Sequence, residues 1–388
     1  MTRGPDRAPT VLSDGDSVLT RLDRISQRAK ADHEGVFNNL FSLLTHELLW
    51  YAFRRLKRGK SPGVDNVTVE EYEADLEANL RGLLTRLHRG SYRPQPSLRK
   101  NIPKGFFDNV SHQHLEELLR RRISDPKLLR LIVRFLKAGV MIEGRLQATE
   151  DGVPQGASLS PLLANVYLHY VLDEWFEREV KPRLRGEAEI IRFADDFVCC
   201  FELASDAMRY QAVLPKRLGR YSLSVAEEKT KLIRFGRFAS RDHQRRGEGA
   251  PSTFDFLGFT HYCGQSRAGK FKLKRRTSGK KLRVKLMEMR LWFHHQLSTP
   301  VGEMWQTLNM KLRGHYQYYG INDNWPMLMA YRSKVRRMAK RHLSRRSQNS
   351  YVNWDDFNRF TELHPLASPT KLTDLIALNR EMLSARAK

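Results

Sequence analysis

Two neighbouring carboxylates, Asp195 and Asp196, interrupt the run Ile190-Ile191-Arg192-Phe193-Ala194-Asp195-Asp196-Phe197-Val198-Cys199-Cys200-Phe201. The β-prone apolar residues on both sides predict a hairpin with the two acids at its tip. Adjacent carboxylates repel each other and resist burial, and a divalent cation neutralises them. An ordinary solvent-exposed Asp-Asp turn is the other reading of the same segment. Earlier in the chain, Gly152-Val153-Pro154-Gln155-Gly156 leads into Ser160-Pro161. Glycines on either side of Pro-Gln let backbone approach a ligand closely, and the Gln155 amide can hydrogen-bond a base or a sugar. A plain loop before a capped helix accounts for that pattern equally.

These segments need elements to hold them. Residues 1–17 read as a flexible tail, and apolar spacing from Val18 to about Lys60 fits two or three helices. After the turn-rich Lys60–Asp65, a helix is predicted from Val67 to Leu87, with a capping box from Thr68 to Glu71. The spacing then predicts helix from His112 to Leu136, broken at Asp125-Pro126, and a short hairpin from Val140 to Ala148. A further helix begins at Ser160-Pro161 and runs to about Glu179. Strands are predicted within Glu189–Glu202, Lys231–Gly236 and Phe254–Tyr262, and a helix at Leu214–Leu223. Beyond about Arg283 the pattern is mostly helical. The whole reads as an α+β module followed by a basic helical one, with the break near 265–285 and no internal repeat.

Charge narrows the partner. The formal net charge is +25, and His261–Ser350 holds 21 Lys and Arg against 3 Asp and Glu. Phosphate neutralisation with counterion release is the usual reason for such self-repulsion. Solvated basic helices or an anionic membrane surface are the alternatives. Trp292, Phe293, Tyr316, Tyr318, Tyr319 and Trp325 interleave with the cations, which favours nucleic acid. The candidate contacts are Lys270, Lys272, Lys274, Arg275, Arg276, Arg313, Tyr316, Arg336, Arg337, Arg345 and Arg346. No apolar run suits a bilayer and the first residues lack a signal-peptide pattern, so a cytoplasmic, globular protein is expected. Cys199, Cys200 and Cys263 lack C-x-x-C spacing, so no zinc is expected.

Taken together, the Pro-Gln-Gly and Phe-Ala-Asp-Asp segments resemble the reverse transcriptases encoded by group II introns. Gly63-Val64-Asp65, Tyr92-Arg93-Pro94 and Ile102-Pro103-Lys104 resemble that family's finger segments. Phe106-Phe107-Asp108-Asn109-Val110-Ser111-His112 is similar to the end of its first palm motif. Glu228-Lys229-Thr230 and Phe254–Phe259 resemble later palm motifs. Leu312–Gly320 and Arg345-Arg346-Ser347-Gln348 resemble the maturase (thumb, or X) region. The resemblance implies a right-hand polymerase fold: N-terminal and finger segments over 18–104, palm over 105–264, thumb/maturase over 265–350, and a tail over 351–388. It also implies template-directed phosphoryl transfer with Mg²⁺, the two ions lying about 4 Å apart. Asp195 and Asp196 match the metal-holding carboxylates, and Gln155 with Gly156 the residues beside the incoming deoxynucleotide. Phe107 matches the gate against a ribose 2′-hydroxyl, and Lys229 a lysine that protonates the leaving group; a surface lysine in a turn is the simpler reading of Lys229. Partners would be intron RNA, a template-primer and DNA, as befits a mobile element.

The likeness breaks at one place. The family's first palm motif begins with a third metal-binding Asp, six residues before the position of Asp108, and here that position is Ile102. Lys104 joins two segments that the family keeps several dozen residues apart. The intervening finger and palm sequence is missing, including an arginine that contacts the nucleotide triphosphate and the strand leading to the catalytic Asp. Asp108 stands roughly 20 Å along an extended chain from that position. The expectation is an internal deletion with an impaired polymerase, or else a non-enzymatic RNA-binding maturase remnant; a decayed product without function is the third possibility. No endonuclease module is evident after Ser350.

Overall fold

The computed structural model describes residues 17–59, 62–98, 109–142, 145–147, 152, 159–266, 268–346, 351–370 and 372–375. The chain is mixed α and β and divides into two compact units, Met1–Leu232 and Ile233–Lys388.

In the first unit, α1 (Val18–Ala31) and α2 (His46–Arg54) are each capped by a hydroxyl, Ser17 and Thr45, that accepts from an unpaired first-turn N–H. The helix predicted over Val67–Leu87 is two, α3 (Val69–Glu73) and α4 (Leu76–His88). Its capping box forms: Thr68 Oγ1 accepts from Glu71 N while the Glu71 carboxylate takes the Thr68 N–H. α5 (His112–Arg120) and α6 (Pro126–Leu136) flank the expected break. Asp125, 4% exposed, caps α6 through the N–H groups of Lys127 and Leu128 and also accepts from Phe41 N at 2.7 Å. β1 (Ser97–Leu98) runs parallel to β2 (Val140–Ile142), which pairs antiparallel with β3 (Arg145–Gln147).

α7 (Ser160–Leu168) starts with Pro161 in its first turn and continues as π-helical turns over His169–Asp173 and Phe176–Val180. β4 (Ala188–Phe193) and β5 (Asp196–Phe201) form a two-stranded antiparallel hairpin, followed by α8 (Ala204–Gly219). The π-helical stretch supplies the fully buried Val171, Leu172 and Phe176, against which Tyr210 and Leu214 of α8 pack. Ala188, Ile190, Phe197, Cys199 and Phe201 bring one face of the hairpin onto that core, as the two-residue period of a strand requires. Burial pushes the Cys199 thiol up to about 12, so it packs as a small apolar group.

The second unit corrects three expectations. Lys231–Gly236 is not a strand. The 265–285 stretch is not a linker: β6 (Phe254–Phe256), β7 (Phe259–Gln265) and β8 (Phe271–Thr277) form one antiparallel sheet, so the expected 264/265 boundary falls inside a hairpin. The segment after 350 is no simple tail, because α13 (Trp354–Leu363) places Phe357 in the core at 0% exposure. That core also takes Met304, Leu308 and Leu312 of α11 (Val301–Tyr319), Leu328 and Val335 of α12 (Trp325–Leu343), and Met289 and Phe293 of α10 (Gly279–His294). A short α9 (Ala239–Arg245) precedes the sheet. No helix among the described residues is long and apolar enough to cross a membrane.

Candidate active site and nucleic-acid interface

The hairpin carries its acids where the sequence pattern puts them. Phe193 pairs with Asp196, leaving Ala194 and Asp195 as the turn. Ala194 adopts a left-handed φ of 53°, which costs a residue with a Cβ roughly 1–2 kcal/mol. Asp195 and Asp196 are both exposed, and no side-chain cation pairs with either among the described residues. Next to them, Ile191 and Phe193 point away from the core at 55% and 65% exposure.

What fixes the tip was missed from sequence. Arg192 lies on the inward face and spans three elements. Its Nε donates to Asp173 Oδ1 at 2.7 Å and one Nη to Asp173 Oδ2 at 2.5 Å, a bidentate pair. The other Nη donates to Asn165 Oδ1 and to the carbonyl of Ala194, both at 2.9 Å. Burial resists ionisation of Asp173, yet the Arg192 bonds and charge, helped by His169, hold its carboxyl below the ordinary range. A cation at an inward strand position always needs such partners. That was the available signal.

A paired carboxylate tip suits a hard cation such as Mg²⁺, which binds through one or two carboxylates and keeps several waters. Among the described residues no group of three or more His, Cys, Asp or Glu side chains gathers. Two carboxylates fit one ion; bridging two needs a further acid. Phe107, Asp108, Gln155 and Gly156 lie outside the described residues. The ends of their segments do meet: Gly152 N donates to Val110 O at 2.8 Å, and the buried His112 Nε2 contacts Gly152 O at 2.5 Å. Lys229 sits in an exposed turn, its N–H donating to Ala226 O at 3.0 Å.

The basic candidates of the second unit separate into two classes. Lys270, Arg276, Arg313, Arg337 and Arg345 are exposed, Arg276 with its guanidinium 5.4 Å from the centre of the Tyr262 ring. Others are committed to the fold. Lys272 pairs with Asp323 at 2.8 Å; Arg275 is half-buried, and burial lowers its pKa. The Lys274 chain lies over Gly264, where a Cβ would come within 2.7 Å of it. Arg336 covers the rings of Trp354 and Phe357, each 5.3 Å away, and donates to Asn358; Arg346 donates to Gln296 O at 3.3 Å. Tyr316, at 6% exposure, packs in the core of this unit. The neighbouring Tyr318, 59% exposed, has the open ring.

Comparison with known proteins gives these features a common context. Residues 103–261 match the family described as reverse transcriptase (RNA-dependent DNA polymerase). The group II intron-encoded protein LtrA of Lactococcus lactis subsp. cremoris is 44% identical over 249 residues, covering 44% of this chain and 41% of the relative. Part of the chain is thus similar to reverse transcriptases, and to group II intron-encoded proteins among them. Protein YkfC of Escherichia coli K12 is 36% identical over 118 residues (24% of this chain, 31% of that protein). The putative COX1/OXI3 intron 2 protein of Saccharomyces cerevisiae is 28% identical over 160 residues (40% and 16%). The chain thus spans less than half the length of these relatives. The Asp195–Asp196 hairpin lies inside the matched segment, and α10 to α13 lie beyond it.

Proposed function

We propose that this chain acts as a group II intron-type reverse transcriptase and maturase whose polymerase centre is impaired. The observation that carries the reading is the Asp195–Asp196 pair, exposed and, among the described residues, free of cation partners at a pinned hairpin tip inside the matched segment. These carboxylates would hold Mg²⁺, which when bound activates a primer 3′-hydroxyl and offsets charge on the transferring phosphate. Around them the chain's own groups divide the remaining work. Ile191 and Phe193 offer an apolar surface beside the acids on which a template-primer can rest. Gln155 and Gly156 contact the incoming deoxynucleotide, Phe107 gates its sugar, and Lys229 supplies a proton to the leaving group. Residues 18–104 supply truncated fingers and 105–264 an incomplete palm. Over 265–350 the exposed cations grip intron RNA as a thumb/maturase surface, in the cytoplasm and without zinc.

Impairment follows from the junction at Lys104, which leaves Ile102 where the family has a metal-binding Asp. An internal deletion is in keeping with the relative LtrA: the 249 aligned positions exceed what 44% of a 388-residue chain can supply, so somewhere in the aligned stretch LtrA carries residues with no counterpart here. The alternative reading, a non-enzymatic RNA-binding maturase, is favoured by five of the ten candidate cations being exposed while, among the described residues, two acids stand at the tip.

Primer extension on an RNA template with Mg²⁺ and deoxynucleotides, beside an Asp195→Ala/Asp196→Ala variant, tests the proposal. Weak or absent extension with RNA binding retained at moderate salt is the expected result. Robust extension lost in the double variant would show a completed centre and overturn the impairment. Failure to bind RNA would sink both readings.

A further inference from the structure

We propose that Arg192 is the positioning residue of this centre: its guanidinium sets the hairpin tip and thereby the placement of the Asp195 and Asp196 carboxylates toward a divalent cation. The inference rests on the carboxylate reading above and adds the device that makes it work.

The geometry has three parts. The Arg192 side chain is only 12% exposed and lies on the inward face, directly across from Phe197. Its bidentate bond to Asp173 anchors it to the π-helical continuation of α7, and its bond to Asn165 anchors it one element earlier. Its remaining reach ends on the carbonyl of Ala194, the one residue of the tip with a left-handed backbone. Such a conformation persists in a residue with a Cβ only where its surroundings over-determine it. The bond from Arg192 does this at the peptide that joins Ala194 to Asp195. The π-helical turn over His169–Asp173 matters too, because Asp173 ends it and so takes its place relative to Arg192 from that wider winding. Arginine is required because three separate acceptors are met by one planar fork; a lysine ammonium carries the charge but not the geometry.

The test uses the full chain and Mn²⁺ alone, with free Mn²⁺ read by electron paramagnetic resonance. The Asp195→Asn/Asp196→Asn variant defines the site. Arg192→Gln and Asp173→Asn should each weaken Mn²⁺ binding about tenfold or more, and Arg192→Lys should fall between them and the parent. In metal-free protein, amide exchange over residues 194–197 should quicken in Arg192→Gln while α8 keeps its protection. Arg192→Gln binding Mn²⁺ within about twofold of the parent, with the double Asn variant binding none, would overturn the role of Arg192 and leave the carboxylate reading standing. Should the double Asn variant bind Mn²⁺ as the parent does, the carboxylate reading fails and this inference with it. If Arg192→Gln does not fold, Arg192→Lys and Asp173→Asn decide; parent-like affinity in both would overturn the proposal.

Discussion

The two units put cations to different ends. In the first, one inward arginine, Arg192, spends its donors on Asp173, Asn165 and Ala194 and so holds a turn at which two acids stand exposed. In the second, cations are plentiful, and roughly half of those proposed to meet RNA are already engaged within the fold. A net charge therefore overstates a binding surface. What counts is the set of cations whose heads remain in water after the fold has taken its share.

The largest effect should come from removing that remainder. Replacing Arg276, Arg313, Arg337 and Arg345 together with Gln should cut RNA affinity by orders of magnitude at moderate salt. The slope of log K against log salt should become shallower by about 3, at roughly 0.7–0.9 per lost phosphate contact. Stability should fall by no more than about 1 kcal/mol, since all four side chains are exposed and the Arg276 contact with the Tyr262 ring is a surface one. An unchanged salt slope would mean that the RNA surface lies elsewhere.

One helix gives the sharpest version of the contrast. Arg336 and Arg337 are neighbours on α12, yet Arg336 covers Trp354 and Phe357 and bonds Asn358, while Arg337 faces solvent. Arg336→Ala should destabilise the second unit by about 1–3 kcal/mol through lost packing and a lost charge-assisted hydrogen bond. Arg337→Ala should stay within about 0.5 kcal/mol of the parent and weaken RNA binding instead. Urea midpoints and RNA titrations on the two variants check both halves. Equal stability losses would erase the distinction.

How much of this was legible beforehand depends on range. The Thr68–Glu71 capping box, the Asp125-Pro126 helix start and the Asp-Asp tip are local, each set by residues within a few positions, and each appears in the structure. β8 was not legible, because Phe271-Lys272-Leu273-Lys274-Arg275-Arg276 reads as a charge run until β7 offers it a ladder partner. The tail after 350 was misread for a similar reason: Phe357 is one aromatic in a polar stretch, and only α11 and α12 make it core. Tyr316 carried a signal that was passed over. Leu308, Leu312, Tyr316 and Tyr319 recur at helical spacing on one face, and that face is the buried one. Arg192 is the inverse case, a charge at an inward strand position whose partners are far away in sequence.

Acid should probe the same buried face of α11. His315 is 7% exposed and stacks on Tyr331 at 3.9 Å. Burial, with Lys285 adding, pushes its imidazole from 6.5 down to about 4. The unfolded chain therefore takes up this proton first. The stability His315 contributes is complete above about pH 6.5 and is lost as pH falls toward 4. His315→Phe keeps a ring to stack on Tyr331 and removes the titration. The urea midpoint of the parent should drop more between pH 7 and pH 4.5 than that of the variant. Parallel losses would show that His315 is not held neutral by its surroundings.

The smallest effect is the most pointed. Tyr316 buries its hydroxyl with no hydrogen-bond partner among the described residues, and burial raises its pKa to about 12. A buried hydroxyl without a partner costs about 1–3 kcal/mol, so removing it should not destabilise. Tyr316→Phe should leave the urea midpoint equal to the parent's or slightly above it, and RNA affinity unchanged. Tyr318→Phe removes a hydroxyl that donates to Leu257 O at 3.0 Å, so it should lose about 1 kcal/mol where Tyr316→Phe loses none. Weaker RNA binding by Tyr316→Phe would mean that this ring reaches the nucleic acid after all. The separation between cations and aromatics taken by the fold and those left for RNA would then have to be redrawn, beginning with α11.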